Sequence, residues 1–365
     1  MLPEPSGQWS KLSRQLYWHC TGERAYSSSM TELPDRNAIE SAAGVVYAVM
    51  PPTPQYVWPQ LAEALGAEVW LKHENHTPTG AFKVRGGLTY FDHLRRQHSD
   101  CRGVISATRG NHGQSMGFAA RRAGMRCVLA VPHGNSREKN AAMRSLGVEL
   151  IEFGQDFQAA REHAAMLARR DALHFVPSFH IDLVAGVATY WAELFKAADL
   201  DVVYVPIGQG SGICACVAAR DAFSPHTGII GVVSAHARCY ALSLAAGRLI
   251  ESPVSTVLAD GLACRSPDAA SLDVIRKSVE RVIEVTDDEV AAAMRLLYAA
   301  THNVAEGAGA ASLAGALQER ASLAGRTVGL TLTGGNVDTD LFVRVLRGES
   351  FAVRREVQNE IQNAA

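Results

Sequence analysis

From Ala67 onward, two kinds of hydrophobic pattern alternate along the chain. Short apolar runs mark strands at Glu68–Lys72, Gly103–Ser106, Arg126–Val131, Val148–Phe153, Val202–Pro206, Ile229–Val233, Arg281–Glu284 and Thr327–Thr331. Several are nearly continuous, as strands buried on both faces require. Between them lie helices at His112–Ala123, Ser136–Leu146, Phe157–Arg170, Val184–Lys196, Gly212–Phe223 and Asp287–Thr301. The last is announced by Thr286-Asp-Asp-Glu289, a capping-box pattern ahead of its apolar positions. The alternation predicts an open α/β architecture with mostly parallel sheets. Polar stretches at Leu94–Asp100 and Phe175–Asp182 bracket a block of β/α units. A smaller domain is therefore expected over 94–181, inserted into a larger one built from 30–93 and 182–365. Before these, Met1–Ser29 is irregular and reads as an extension outside the core; an amphipathic helix follows Met30-Thr-Glu-Leu-Pro.

Composition narrows the function classes. Of 365 residues, 47% are hydrophobic and 20% charged, values of an ordinary globular protein. Lys plus Arg number 35 against 37 Asp plus Glu, a formal charge of −2, so no basic excess points to nucleic acid. No apolar run approaches the roughly 18–20 residues that cross a bilayer, and no membrane partner is expected. The seven cysteines form no CxxC pair and are too scattered for a disulfide scaffold. A reducing cytoplasmic compartment is the expectation.

Candidate chemistry sits at the turns between strands and helices, where ligands bind in open α/β folds. Pro206-Ile-Gly208-Gln209-Gly210-Ser211-Gly212 joins a strand to a small-residue helix. Its glycines allow close backbone approach and the helix start offers free N–H groups, which suits a compact phosphate. The third glycine comes one residue early for a dinucleotide fingerprint, and no acid follows at the usual distance of about 20 residues. A second turn, Thr77-Pro-Thr79-Gly80-Ala-Phe82-Lys83, delivers a lysine beside an aromatic ring at a helix start. Burial would make such a lysine a nucleophile toward an aldehyde. A third, Ser106-Ala-Thr108-Arg109-Gly110-Asn111-His112-Gly113, offers backbone N–H groups and a hydroxyl to a carboxylate. The fourth, Thr333-Gly334-Gly335-Asn336, also lies at a strand end, and Thr333 could hydrogen-bond a ring nitrogen.

Taken together from about Ala38 to about Val345, these motifs resemble the pyridoxal-phosphate enzymes of the tryptophan-synthase β type (fold type II), in the threonine/serine dehydratase and serine racemase branch. Thr53-Pro54, Ala259-Asp260-Gly261-Leu262-Ala263 and Val304-Ala-Glu306-Gly-Ala-Gly add to the likeness. The resemblance implies two open, twisted, mostly parallel-sheet domains with pyridoxal 5'-phosphate in the cleft between them. It places Lys83 as the lysine that joins the cofactor as a Schiff base and as the catalytic base. Phe82 would flank the ring, Asn111 would bond its 3'-oxygen, and Thr333 would face its nitrogen. Gly208, Gln209, Gly210, Ser211 and Gly212 would hold the phosphate. Ser106, Thr108, Arg109, Gly110 and His112 would form the substrate loop. The implied activity is β-elimination from a β-hydroxy amino acid, threonine or serine by default, giving a 2-oxoacid and ammonia, in a homodimer or homotetramer. A neutral hydroxyl at the ring nitrogen favours prompt loss of a β-leaving group over transamination.

Departures from the pattern are informative. Arg109 stands where the family often has Ala, or in serine racemases the Ser that serves the opposite face. An always-charged guanidinium reprotonates poorly, so racemisation is disfavoured. Arg109 could instead pair with a second anionic substrate group or turn to a local partner. That choice keeps open a lyase for hydroxyaspartate or a bulkier β-substituted serine. β-Replacement and a catalytically silent binding protein are the remaining rivals. Val232-Val-Ser234-Ala235-His236 lacks the carboxylates of metal-dependent relatives, so no divalent metal is expected; Asp260 could serve a monovalent cation. About 20 residues follow Val345, so a C-terminal regulatory domain is not expected.

Overall fold

The computed structural model describes residues 32–351. The expected Met1–Ser29 extension lies outside them. The chain runs through α1 (Arg36–Tyr47), β1 (Gln55–Val57), α2 (Pro59–Leu65), β2 (Glu68–His73), α3 (Lys83–Gln97), β3 (Gly103–Ala107) and α4 (Asn111–Ala123). It continues with β4 (Arg126–Val131), α5 (Arg137–Ser145), β5 (Glu149–Glu152), α6 (Phe157–Arg170), β6 (His174–Phe175) and α7 (Ile181–Ala197). Then come β7 (Val202–Pro206), α8 (Ser211–Phe223), β8 (Gly228–Ser234), α9 (Cys239–Ala246), α10 (Ala269–Ser278) and β9 (Arg281–Val285). The series closes with α11 (Asp287–Thr301), α12 (Gly307–Gln318), β10 (Thr327–Leu332) and α13 (Thr339–Leu346).

Six strands form one sheet in the order β1-β2-β10-β7-β8-β9, parallel except for the edge strand β1. Four form a second, all-parallel sheet in the order β5-β4-β3-β6. This is the α/β, mostly parallel architecture that the pattern predicts. The second sheet is drawn wholly from the 94–181 block. Both faces of the larger sheet are covered. On β7, Val202 and Tyr204 pack with α11 and α12, while Val203 and Val205 pack with α7 and α8. The strand period of two thus serves two helix layers at once, which is why these strands read as unbroken apolar runs.

Two boundaries show local causes. The side chains of Thr286 and Glu289 satisfy each other's backbone N–H groups, completing the expected capping box of α11. Helix α7 begins at Ile181, earlier than expected, because the His180 imidazole accepts from Asp182 N–H at 3.2 Å and caps the helix in place of the usual short polar residue. The carboxyl ends of β2, β3, β7 and β10 lead directly into the four turns that carry the candidate chemistry.

Candidate active site

Lys83 is the first residue of α3, and its position is over-determined. The Thr77 hydroxyl accepts from Ala81 N–H at 2.9 Å, closing the turn that follows β2. Ala81 bridges to Gly334, and Phe82 N–H donates to the Thr333 carbonyl at 3.0 Å, fixing the start of α3 against the end of β10. Further along α3, the buried Arg85 fork donates to Glu74 at 2.8 and 2.9 Å and also reaches Glu193 on α7. That ion cluster pins the helix to the turn after β2 and to α7. The Lys83 amine donates to Ser211 Oγ at 2.6 Å and lies 4.9 Å from the centre of the Phe82 ring. Burial pushes its pKa down to about 8. A neutral amine, the form that attacks an aldehyde, is thus within reach near physiological pH.

Across the cavity, β7 ends at Pro206 and α8 starts at Ser211. A Cβ at Gly208 would lie 2.4 Å from the Gly261 carbonyl oxygen, and Gly210 has φ +98°. Only glycine fits this tight entry. The first-turn N–H groups of α8 have no acceptor within the helix, so they and the Ser211 hydroxyl present a ready anion site. Gln209 is turned aside, donating to Cys264 Sγ at 3.2 Å. Burial raises the Cys264 thiol to about 12, which keeps it protonated.

The third wall is the turn between β3 and α4. Thr108 Oγ1 accepts from the N–H groups of Gly110 and Gly113, each at 2.9 Å, and so shapes the loop. Arg109 points to the cavity with its Nε buried and without a partner, and no described carboxylate lies within ion-pair distance of it. The local partner weighed from sequence is not found among the described residues. Ser106 departs from expectation. Its hydroxyl donates to the Val176 carbonyl at 2.7 Å, and it lies on β3 behind the loop, outside the cavity lining. Because that proton is committed, the His112 contact with Ser106 Oγ at 3.1 Å is made by an Nε2–H donor. Burial, with Lys83 nearby, pushes His112 down to about 3, so the ring is neutral.

Asn111 donates its side-chain amide to Glu306 Oε1 and accepts from Asn336 Nδ2 at 2.9 Å. Glu306 in turn accepts from Lys139 Nζ at 2.9 Å, and the same ammonium reaches Asp260 at 2.7 Å. Burial works against the Lys139 charge, but the two carboxylates outweigh it and hold its pKa above the usual value. Lys139 thus engages Oδ2 of Asp260, the carboxylate that could serve a monovalent cation. Neither Lys139 nor the role of Glu306 follows from the sequence pattern. Thr333 completes the cavity; its hydroxyl makes only a long 3.4 Å contact to the Ala308 carbonyl.

One cavity thus gathers Phe82, Lys83, Thr108, Arg109, Gly110, Asn111, His112, the Gly208–Gly212 loop and Thr333, every expected site residue except Ser106. The donor set fits a phosphorylated aldehyde. It offers a glycine-shaped anion cradle, a buried amine of lowered pKa, an aromatic ring beside that amine, and an uncharged hydroxyl opposite. Arg109 is left over as an uncommitted cation.

Comparison with known proteins agrees with this geometry. A family model described as pyridoxal-phosphate dependent enzyme matches residues 48–334. The chain is 34% identical over 304 residues to an L-threonine ammonia-lyase of Geobacter sulfurreducens, covering 82% of this chain and 75% of that protein. It is 27% identical over 299 residues to an L-threo-3-hydroxyaspartate ammonia-lyase of Saccharomyces cerevisiae, covering 81% and 91%. Among solved structures, the processed form of threonine deaminase isoform 2 from Solanum lycopersicum superposes with a TM-score of 0.79 at 26% identity, covering 86% of this chain and 87% of that one.

Proposed function

The chain belongs to the pyridoxal-phosphate dependent enzymes, and within that family we propose that it is an ammonia-lyase for a β-hydroxy α-amino acid. The similar ammonia-lyases support the reaction class, and threonine or serine is the default substrate. The observation that carries the reading is the Lys83 amine, buried with its pKa lowered to about 8, between an anion cradle and an uncharged Thr333 hydroxyl.

When bound, pyridoxal phosphate supplies an aldehyde for amines and a ring that draws electrons from a substrate's Cα. The N-terminus of α8 and Ser211 would hold the phosphate, and Asn111, steadied by Glu306 and Asn336, would bond the ring's 3'-oxygen. The first N–H groups of α4, at Asn111 and His112, have no acceptor within the helix and receive the substrate α-carboxylate. Lys83 would accept the substrate's Cα proton at Nζ. Thr333 offers no charge to the ring nitrogen, which favours departure of the β-hydroxyl over transamination. Overall, the water lost in elimination is regained in hydrolysis, so one amino acid yields one 2-oxoacid and one ammonia. Racemisation is disfavoured because the loop offers a neutral, hydrogen-bonded His112 and a permanently charged Arg109 rather than a second acid–base group.

We also propose a cytosolic homo-oligomer. Six unpaired cysteines among the described residues accord with a cytosolic home. Tyr56 and Val57, exposed on the edge strand β1, accord with a homo-oligomer. Block 94–181 is proposed as the small substrate-loop domain. The functional test is release of 2-oxoacid and ammonia from L-threonine and L-serine by the cofactor-loaded protein and by Lys83→Ala. The proposal requires equal yields of both products from the wild type and none above background from the variant. Near-wild-type turnover by Lys83→Ala contradicts the role of Lys83, and no turnover of either amino acid contradicts threonine and serine as the default substrates.

A further inference from the structure

Behind the catalytic cavity lies a second one, and Arg109 lines both, together with Phe157, Ser178, Gln209 and Ala263. The charges of the second cavity are mostly spoken for. Arg265 is engaged by Asp156 at 2.9 Å and lies 4.0 Å from Glu251. Asp268 accepts from Ser271 N–H as the cap of α10 and is faced by the charge of Arg161. Arg109 is different. Its Nε is buried without an acceptor, no described carboxylate pairs with it, and it stands at the junction of the two cavities. A buried guanidinium donor left unmatched carries a desolvation cost that a bound anion would remove.

The α-carboxylate does not need this group, because the first N–H groups of α4, at Asn111 and His112, are free to serve it. An uncharged β-substituent such as a methyl group could not answer it either. We infer that Arg109 and the second cavity form a subsite for an anionic group on the substrate's β-substituent, so that the preferred substrate is a β-hydroxy amino acid with an acidic side chain. Planar, paired N–H donors recognise a carboxylate in a way that a point charge does not. This inference rests on the ammonia-lyase reading, and its test is arranged so that the two can fail separately.

The probes are matched acid and amide pairs, which share shape and differ in charge: 3-hydroxyaspartate against 3-hydroxyasparagine, and 3-hydroxyglutamate against 3-hydroxyglutamine. Holoenzyme kcat/KM for ammonia release is compared within each pair, for wild type and Arg109→Ala. In the better-turned pair the acid should exceed the amide by roughly 10–150-fold, the worth of one charge-assisted hydrogen bond. Arg109→Ala should bring that ratio to about 1, and Arg109→Lys should restore only part of it. An amide turned over as well as its acid by the wild type overturns the subsite, even if Arg109→Ala yields no soluble protein. A ratio unchanged in a soluble Arg109→Ala does the same. Aspartate and asparagine, which carry no β-hydroxyl, provide a second readout by the change they cause in cofactor absorbance. Aspartate should bind at least 10-fold tighter than asparagine to the wild type, and equal affinities overturn the inference. If no compound releases ammonia, the ammonia-lyase reading falls while this binding ratio still decides the subsite.

Discussion

Replacing Lys139 by Met should expose how much the active-site wall depends on one buried ammonium. The Lys139 and Glu306 side chains are only 6% and 3% exposed, whereas Asp260 is 25% exposed. Water can therefore compensate Asp260 but not Glu306. Left without its cation, Glu306 must either stay charged in a dry site or take a proton. Removing one member of a buried pair costs about 3–5 kcal/mol. Protonation sets the ceiling: for a carboxyl of ordinary pKa about 4.3, neutralisation at pH 7 costs about 3.7 kcal/mol. Burial already pushes Glu306 upward, so the protonated form is the one the variant adopts. The cost then falls by about 1.4 kcal/mol for each pH unit lowered, to about 1.6 kcal/mol at pH 5.5. Urea unfolding of the cofactor-free protein measures this without interference from cofactor binding. Lys139→Met should be destabilised by about 3–3.7 kcal/mol at pH 7 and by no more than about 1.6 kcal/mol at pH 5.5. Adding Glu306→Gln, which needs no proton, should recover part of the loss at pH 7. A loss below about 1 kcal/mol, or one indifferent to pH, would refute the reasoning.

Two further outcomes follow from the same geometry. Binding of pyridoxal phosphate to the cofactor-free protein should strengthen as pH rises through about 8, because burial lowers the Lys83 pKa and the amine must lose its proton to react; a midpoint near the usual lysine value of about 10.4 contradicts that. Thr333→Asp should place a carboxylate beside the ring nitrogen and raise transamination relative to ammonia release, measured as pyridoxamine phosphate formed per 2-oxoacid; an unchanged ratio removes the argument from the neutral hydroxyl.

Much of the fold was legible because its interior strands are buried on both faces. Val202–Pro206 and, after its leading arginine, Arg126–Val131 read as apolar runs and form β7 and β4 at those bounds. Other elements lack that signal. Strand β1 has three residues at an exposed edge, and β6 has two. Helix α12, Gly-Ala-Gly-Ala-Ala-Ser-Leu-Ala-Gly-Ala-Leu-Gln, is buried from Gly307 to Ala316 and so has no polar face to give it a period. The site divides in the same way. Lys83, Asn111, the Gly208–Gly212 loop and Thr333 lie at strand ends in turns with local signatures. Lys139 lies in Arg-Glu-Lys-Asn, which reads as a solvated helix start, and only the tertiary fold brings it onto Asp260 and Glu306. Ser106 adjoins the substrate loop in sequence but lies outside the cavity lining. Its neighbour on the pleat, Ala107, faces the cavity instead.

The account stands on Lys83 as the residue that carries the cofactor. Its most direct test is borohydride reduction of the holoprotein, followed by proteolysis and mass spectrometry of every lysine-containing peptide. Lys139 also lines the cavity, so the measurement is discriminating rather than formal. Its amine is held charged by two carboxylates, whereas burial lowers that of Lys83. One phosphopyridoxyl group per chain, on Lys83 alone, is the predicted result. The group on Lys139 or another lysine, or no stable adduct at all, would contradict it.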